Sequence, residues 1–336
     1  RLRRRRARSP PLVPPPEASS GAGLAFFDAQ TVHSALGYAE LIEALRAAFC
    51  AGGEAPVRHH HTVERPGAEA ATLLLMPAWQ PGEALGVKLA TVSPGNDVHG
   101  LPSVQAIYAL FDGVTGTPEA VMDATSLTLR RTACASALAA DYLAPRDAGH
   151  LVLIGAGALA PHLARAHAAI RPIRRVTIWN RTRENAARVA GELASDFETA
   201  VSDDRAAAVA DADIVTCCTM SSEPVLSGAW LRDGCHVDLV GAFRPDMRES
   251  DDEAIRRARV FVDTRSGAFA EAGDIVIPVR TGALAEAEVQ GDLFELCQGK
   301  AEGRTGGDEV TLFKSVGSAL EDLAASRLVM QRAGGG

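Results

Sequence analysis

The 336-residue chain predicts an α/β protein: a doubly wound parallel sheet joined to an α+β unit whose sheet is mainly antiparallel. Three observations carry this. From residue 151 onward, short apolar strands alternate with helical stretches, the pattern of a parallel sheet with crossover helices. Between residues 57 and 112, β-rich segments follow one another across Pro-Gly, Pro-Gly-Asn and Gly-Leu-Pro turns, which suits antiparallel pairing. Residues 151–154 also lead straight into a glycine turn that opens a helix.

Residues 1–23 hold Arg1, Arg3, Arg4, Arg5, Arg6 and Arg8, five prolines between positions 10 and 16, and one acid, Glu17. Such a segment cannot pack a core and predicts a disordered tail. It has no apolar h-region for a secretory signal, and its prolines oppose the amphipathic helix of a transit peptide. It reads as a disordered leader or an over-extended start of the reading frame. The tail carries +5 of a net charge of −8, leaving −13 on the rest, which argues against nucleic acid as the main partner. With 47% hydrophobic residues and no apolar run long enough to span a bilayer, a cytoplasmic protein that binds no membrane is expected.

Residues 31–51 have helical periodicity (Leu36, Leu41, Leu45, Phe49) and stop at Gly52-Gly53. Strands are predicted over 57–63, 71–76, 86–92 and 104–112, then a helix over 126–143. The alternating half follows with strands at 151–154, 176–179, 214–219, 236–240 and 260–263, and helices such as 158–170 and 183–194. An amphipathic closing helix over 318–332 should pack back on the first unit. The domains are therefore expected at 24–128 together with 312–332, for substrate binding and dimerisation, and at 129–311, for the nucleotide.

The turn Gly155-Ala156-Gly157-Ala158-Leu159-Ala160 fits the Rossmann G-x-G-x-x-G/A pattern with Ala last. Gly155 permits the tight turn, Gly157 lets backbone approach a pyrophosphate, and the free N–H groups of the helix start face phosphate. The second strand ends in Asn180-Arg181-Thr182 where an NAD enzyme usually carries an acid. A carboxylate would repel a ribose 2′-phosphate, while an Arg fork and a hydroxyl bind it. NADPH is the expected cofactor, with NADH the alternative.

Six cysteines show no C-x-x-C spacing, so neither a zinc site nor a disulfide framework is expected. His59 and His61 share one strand face and His60 the other, a poor ligand set without a nearby third member. Arg58, Lys88 and Arg131 each interrupt or adjoin an apolar segment, and a cation there needs an anionic partner. A carboxylate substrate and a cofactor phosphate would supply it.

Several motifs together resemble the ornithine cyclodeaminase/μ-crystallin family. They are Met76-Pro77, Gly86-Val-Lys88, Pro94-Gly-Asn96, Gly100-Leu-Pro-Ser103, Leu127-Thr-Leu-Arg-Arg131-Thr132, the Gly155 turn, Ala212-Asp213-Ile214 and Phe313-Lys-Ser315-Val-Gly317. The resemblance runs from about residue 24 to 332. Trp179-Asn-Arg-Thr-Arg-Glu-Asn185 resembles the NADPH segment of the μ-crystallin branch. Residues 241–249 resemble that branch and bacterial reductases of Δ1-pyrroline-2-carboxylate and Δ1-piperideine-2-carboxylate. The cyclodeaminases carry an essential Asp where this chain has Phe243.

The resemblance implies roles. Arg58 and Lys88 would hold the substrate carboxylate or relay a proton, with Phe243 and Val316 lining the substrate. Ser103, Arg131, Ala158, Leu159, Asn180, Arg181, Thr182, Asn185, Thr219, Met220, Val240 and Ser315 match cofactor contacts, as do Gly155 and Gly157. Leu159 stands where the family often has Gln, so its contact would be through backbone. It implies NADPH-dependent reduction of a cyclic imino acid to L-proline or L-pipecolate, by a homodimer built through the antiparallel sheet. The alternatives are an alanine dehydrogenase, an ornithine cyclodeaminase, and a protein that binds NADPH and a thyroid-hormone-like molecule without turnover.

Overall fold

The computed structural model describes residues 23–334, so the Arg/Pro-rich tail lies, but for Gly23, outside the described residues. The described chain opens with β1 (Ala25–Phe27), α1 (Ala29–Ala35) and α2 (Tyr38–Ala51). The single helix expected over 31–51 is thus two. Asp28 caps the first, accepting from Thr31 N at 2.8 Å, and Gly52, at φ 82°, ends the second. The break is fixed by packing: Leu36 is fully buried at the junction, where Gly37 starts the next helix.

Next come β2 (His59–Val63), β3 (Ala71–Gln80), β4 (Ala84–Val92), β5 (Val104–Asp112) and β6 (Pro118–Asp123). Their sheet runs β1-β6-β5-β4-β3-β2, antiparallel except that β1 lies parallel to β6. Neither β1 nor β6 is among the expected strands. The first is three residues long, and the second begins with Pro118-Glu119, which masks its alternation. In β4, Ala84, Gly86, Lys88 and Ala90 turn inward, while Leu85, Val87, Leu89 and Thr91 turn outward. Gly86 is required there, because a Cβ would lie 2.1 Å from the Tyr108 hydroxyl.

The helix α3 (Ala124–Leu143), capped by Asp123, links this sheet to the second half. That half contains β7 (His150–Ile154), α4 (Ala160–Ala168), β8 (Arg175–Trp179), α5 (Arg183–Leu193), β9 (Glu198–Val201), α6 (Arg205–Val209), β10 (Ile214–Cys217) and β11 (His236–Leu239). It continues with α7 (Asp252–Arg257), β12 (Ala258–Val262), α8 (Arg265–Glu271), α9 (Gly273–Thr281), β13 (Val289–Asp292), α10 (Leu293–Cys297), β14 (Val310–Lys314) and α11 (Ala319–Ala333). The eight strands are all parallel, in the order β13-β12-β14-β11-β10-β7-β8-β9. The order reverses between β7 and β10, which opens a crevice at their C-terminal ends.

Three expectations need correction. Residues 312–314, grouped above with the first domain, run inside the parallel sheet between β11 and β12. The expected boundary at 128/129 falls within the continuous helix α3. The closing helix is not amphipathic in the ordinary sense, because Glu321, Asp322 and Ser326 are fully buried with its apolar residues. Glu321 and Asp322 pair with buried cations, and Ser326 donates to the Leu323 carbonyl at 2.8 Å. Among the described residues, no helix is long and apolar enough to cross a membrane.

Candidate active site

Two clefts open at the ends of these elements. The larger, of about 490 Å³, is lined by Gly155, Ala156, Gly157 and Trp179, by Asn180, Arg181, Thr182 and Asn185, and by Cys218, Thr219, Met220, Ser221 and Val225. It therefore sits at the strand-order reversal, at the ends of β7, β8 and β10. Gly155 is fixed twice: its φ is +119°, and a Cβ would lie 2.8 Å from the Cys218 carbonyl oxygen. Around Gly157 an added Cβ would meet nothing within 4 Å, so its backbone faces open space. Arg188 Nη2 donates to the Ala156 carbonyl at 3.0 Å and braces the turn. These residues make a cradle that a dinucleotide pyrophosphate fits.

The lining of this cleft contains no Asp or Glu. Asn180 Nδ2 donates to the Thr182 carbonyl at 2.9 Å, shaping the loop that presents Arg181. Arg183 is engaged by Asp203, whereas Arg181 is exposed and makes no ion pair among the described residues. Thr182 starts α5 without using its side chain as a cap.

The second cleft is small and lies between the two sheets; its lining includes Arg58, Met76, Thr264, Gly267, Glu271, Gly317 and Ser318. Arg58 Nη2 donates to the carbonyls of Val316 and Gly317 at 2.9 and 3.1 Å, and pairs with Glu271 Oε2 at 3.0 Å. Lys88 stands opposite Met76 on the neighbouring strand. Its Nζ pairs with Asp322 at 2.7 Å and approaches the Thr128 hydroxyl at 3.4 Å. The other Asp322 oxygen accepts from Arg131 Nε at 2.9 Å, and Arg131 Nη1 donates to Glu321 at 2.7 Å. Glu321 also closes a capping box with Ser318.

Burial sets the proton affinities here. It pushes the Lys88 ammonium down to about 8; Asp322 opposes the shift, and Arg131 and Arg58 reinforce it. Burial likewise pushes Glu321 up to about 7 against the attraction of Arg131. For Asp322 burial is outweighed: Arg131 and Lys88 together hold its carboxyl below its usual value.

The expected site residues divide accordingly. Gly155, Gly157, Asn180, Arg181, Thr182, Asn185, Thr219 and Met220 line the first cleft, and Ala158 and Leu159 follow its glycine turn into α4. Arg58 lines the second cleft, with Lys88 and Arg131 buried behind it. Ser315 and Val240 are buried at the ends of β14 and β11. Val316 turns its side chain into the apolar core and offers its carbonyl to Arg58. Ser103 and Phe243 line neither cleft, Phe243 being 43% exposed in the loop after β11. Arg131 meets internal carboxylates rather than an open cofactor site.

Sequence reasoning missed the acids: Glu271, Glu321 and Asp322. Ser318-Ala-Leu-Glu321 was a legible capping box, but nothing local tied Asp322 to Lys88. His59, His60 and His61 are exposed on β2, and no group of three or more potential ligands gathers as a metal site among the described residues.

Known proteins agree with this architecture. The Δ1-pyrroline-2-carboxylate reductase of Colwellia psychrerythraea is 37% identical over 311 residues, covering 90% of this chain and 98% of that protein. The ketimine reductase mu-crystallin of Mus musculus is 36% identical, over 91% of this chain and 96% of its own. A solved structure of Thermococcus litoralis Δ1-pyrroline-2-carboxylate reductase in complex with NADH and L-proline superposes with a TM-score of 0.87. That pair is 33% identical, with 92% and 97% of the two chains covered. The model of the ornithine cyclodeaminase/mu-crystallin family matches residues 25–336, and the chain belongs to that family.

Proposed function

We propose that the protein reduces a cyclic imino acid, Δ1-pyrroline-2-carboxylate or Δ1-piperideine-2-carboxylate, to L-proline or L-pipecolate. The observation that carries this reading is the pair of cations Arg58, lining the second cleft, and Lys88, buried behind it, in a chain whose strand-order reversal carries a pyrophosphate cradle. A nicotinamide cofactor bound there supplies a hydride to the ring carbon of the C=N bond. The chain's residues do the rest. Arg58 holds the substrate carboxylate with the guanidinium nitrogens that Glu271 and the two carbonyls leave free. Lys88, whose pKa is pushed down to about 8, is protonated at neutral pH and can give its proton to the ring nitrogen as C=N becomes CH–NH. Asp322 orients Lys88 and holds its charge until then.

NADPH is the preferred cofactor on this reading. Support comes from the carboxylate-free lining, from Arg181, which makes no ion pair among the described residues, and from the Thr182 hydroxyl, which is not used as a helix cap. We further infer a homodimer through the outer face of the antiparallel sheet. Phe26, Leu73, Leu85, Leu89 and Ile107 gather there, with Phe26 74% and Ile107 47% exposed.

The test is cofactor oxidation with each cyclic imine, using NADPH and NADH in parallel. Turnover of either imine without ammonium is expected. Turnover only of pyruvate with free ammonium, or proline formation from ornithine with catalytic NAD, would replace the reading with a dehydrogenase or a cyclodeaminase. NADPH binding without any turnover would make the protein a binder.

A further inference from the structure

Glu249 follows the loop after β11 and is fully buried, directly behind the lining of the larger cleft without itself lining it. One of its oxygens accepts from Thr219 N at 2.6 Å and from the Thr219 hydroxyl at 2.9 Å. The other accepts from Gly241 N at 2.7 Å and Ala242 N at 3.2 Å. A single carboxylate therefore joins the loop leaving β10 to the loop leaving β11.

The backbone at Glu249 is itself held, and a buried cation stands near its carboxylate. Asp274, at the start of α9, accepts from Glu249 N at 2.8 Å and Ser250 N at 3.0 Å. Its second oxygen lies 3.1 Å from Lys314 Nζ, which in turn lies 3.9 Å from Glu249. All three side chains are fully buried. The two loops touch so closely that a Cβ on Gly241 would fall 1.9 Å from the Thr219 carbonyl oxygen.

Position gives this cluster a function. In a doubly wound sheet a dinucleotide lies across the strand ends at the reversal of order. Here Asn180, Arg181 and Thr182 at the end of β8 suit the adenosine half, so the nicotinamide half falls on the other side, at the ends of β10, β11 and β14. Thr219 ends the first of these, Gly241 and Ala242 follow the second, and Lys314 closes the third. A buried carboxylate replaces water as the acceptor for their N–H groups and fixes the wall in advance.

We propose that Glu249, locked by Lys314 and Asp274, is the positioning residue for the nicotinamide half of the cofactor site. It touches no reacting atom. It acts by holding the loops after β10 and β11 at one separation, so that the reduced ring meets the substrate at a single distance. The inference rests on the reductase reading for its catalytic consequence but not for its binding consequence.

The experiment compares two probes by calorimetry: NADPH, and 2′-phospho-ADP-ribose, which lacks only the nicotinamide. In Glu249→Gln the amide can serve one loop but presents N–H to the other. NADPH binding should weaken about 10-fold while 2′-phospho-ADP-ribose binding stays within about 2-fold, and kcat should fall about 10- to 100-fold. Equal weakening of both probes, or no change in either, overturns the proposal. If Glu249→Gln does not fold, Thr219→Val and Thr219→Ser decide it. The serine should keep the NADPH preference over the nicotinamide-free probe and the valine lose it, and identical behaviour of the two overturns the proposal. No imine enters the binding arm, so failure of the reductase reading leaves this result readable. Should wild type bind only NADH, the same comparison runs with NADH and ADP-ribose.

Discussion

Lys88 and Asp322 form an ion pair of 2.7 Å with Asp322 fully buried and Lys88 4% exposed, joining the sheet strand β4 to the helix α11. Such a pair is a poor source of stability but expensive to break from one side, about 3–5 kcal/mol when a lone charge is left behind. On the proposed reading its value is chemical. It keeps an ammonium in a dry site behind the cleft that Arg58 lines.

The proposed acid role of Lys88 gives a pH limb. The ammonium holds its proton below about 8 and loses it above, so kcat/KM for the imine should fall as pH rises through that value. Asp322→Asn removes the attraction that retains the proton and should move the limb to lower pH by about one unit. Stability carries the matching sign. The unfolded lysine titrates near 10.5 and the folded one near 8, so the unfolded chain binds more protons between these values. The contribution of Lys88 to stability therefore rises with pH across that window, and Lys88→Met should flatten the rise in urea unfolding.

On the proposed NADPH preference, Arg181 is the cation that would recognise the 2′-phosphate. Arg181→Ala should raise KM for NADPH about 10- to 100-fold, the worth of one or two hydrogen bonds to a charged group, with KM for NADH within about 2-fold. Arg183→Ala should do much less, because that side chain is occupied by Asp203. Steady-state kinetics with the two cofactors compares the three proteins.

Arg58 is expected to act on the substrate alone. Arg58→Lys keeps the charge and loses the planar fork, so KM for the imine should rise about 10-fold or more while cofactor binding is unchanged. A folded Arg58→Ala variant with wild-type kcat/KM would remove this residue from the site.

The outer face of the antiparallel sheet predicts an association. Ile107→Asp and Phe26→Asp put charges on that face, and sedimentation should move from dimer toward monomer. A wild-type monomer at micromolar concentration would end the dimer inference.

The parts of the molecule legible in sequence were those written locally. Gly155 and Gly157 follow an apolar run and open a helix within ten residues, and Asn180 to Asn185 end the next strand. Both signals survive without knowledge of the fold. Lys88, Arg58 and Arg131 were visible as charges in apolar surroundings, but their partners were not. Asp322 is 234 positions from Lys88, and along α11 its carboxylate alternates with apolar residues just as a solvent-facing acid would. Only the tertiary packing distinguishes the two. Glu249 was hidden for the same reason: its four donors come from Thr219, Gly241 and Ala242, all on loops without periodicity. β14 escaped because its five residues were read only as part of a motif.

The placement of β14 also governs how the molecule can come into being. The strand at residues 310–314 fills a central slot between β11 and β12, and α11 directly after it supplies the counter-charges beneath the first sheet. Neither half can be finished by a contiguous stretch of its own. While the ribosome is still reading the codons before residue 310, the parallel sheet has a gap at its middle, and Lys88 and Arg131 face an apolar interior without anions. Both halves wait for the same last thirty or so residues, so assembly is expected to be a single late event, with nascent chains stalled before β14 open to proteases along their whole length.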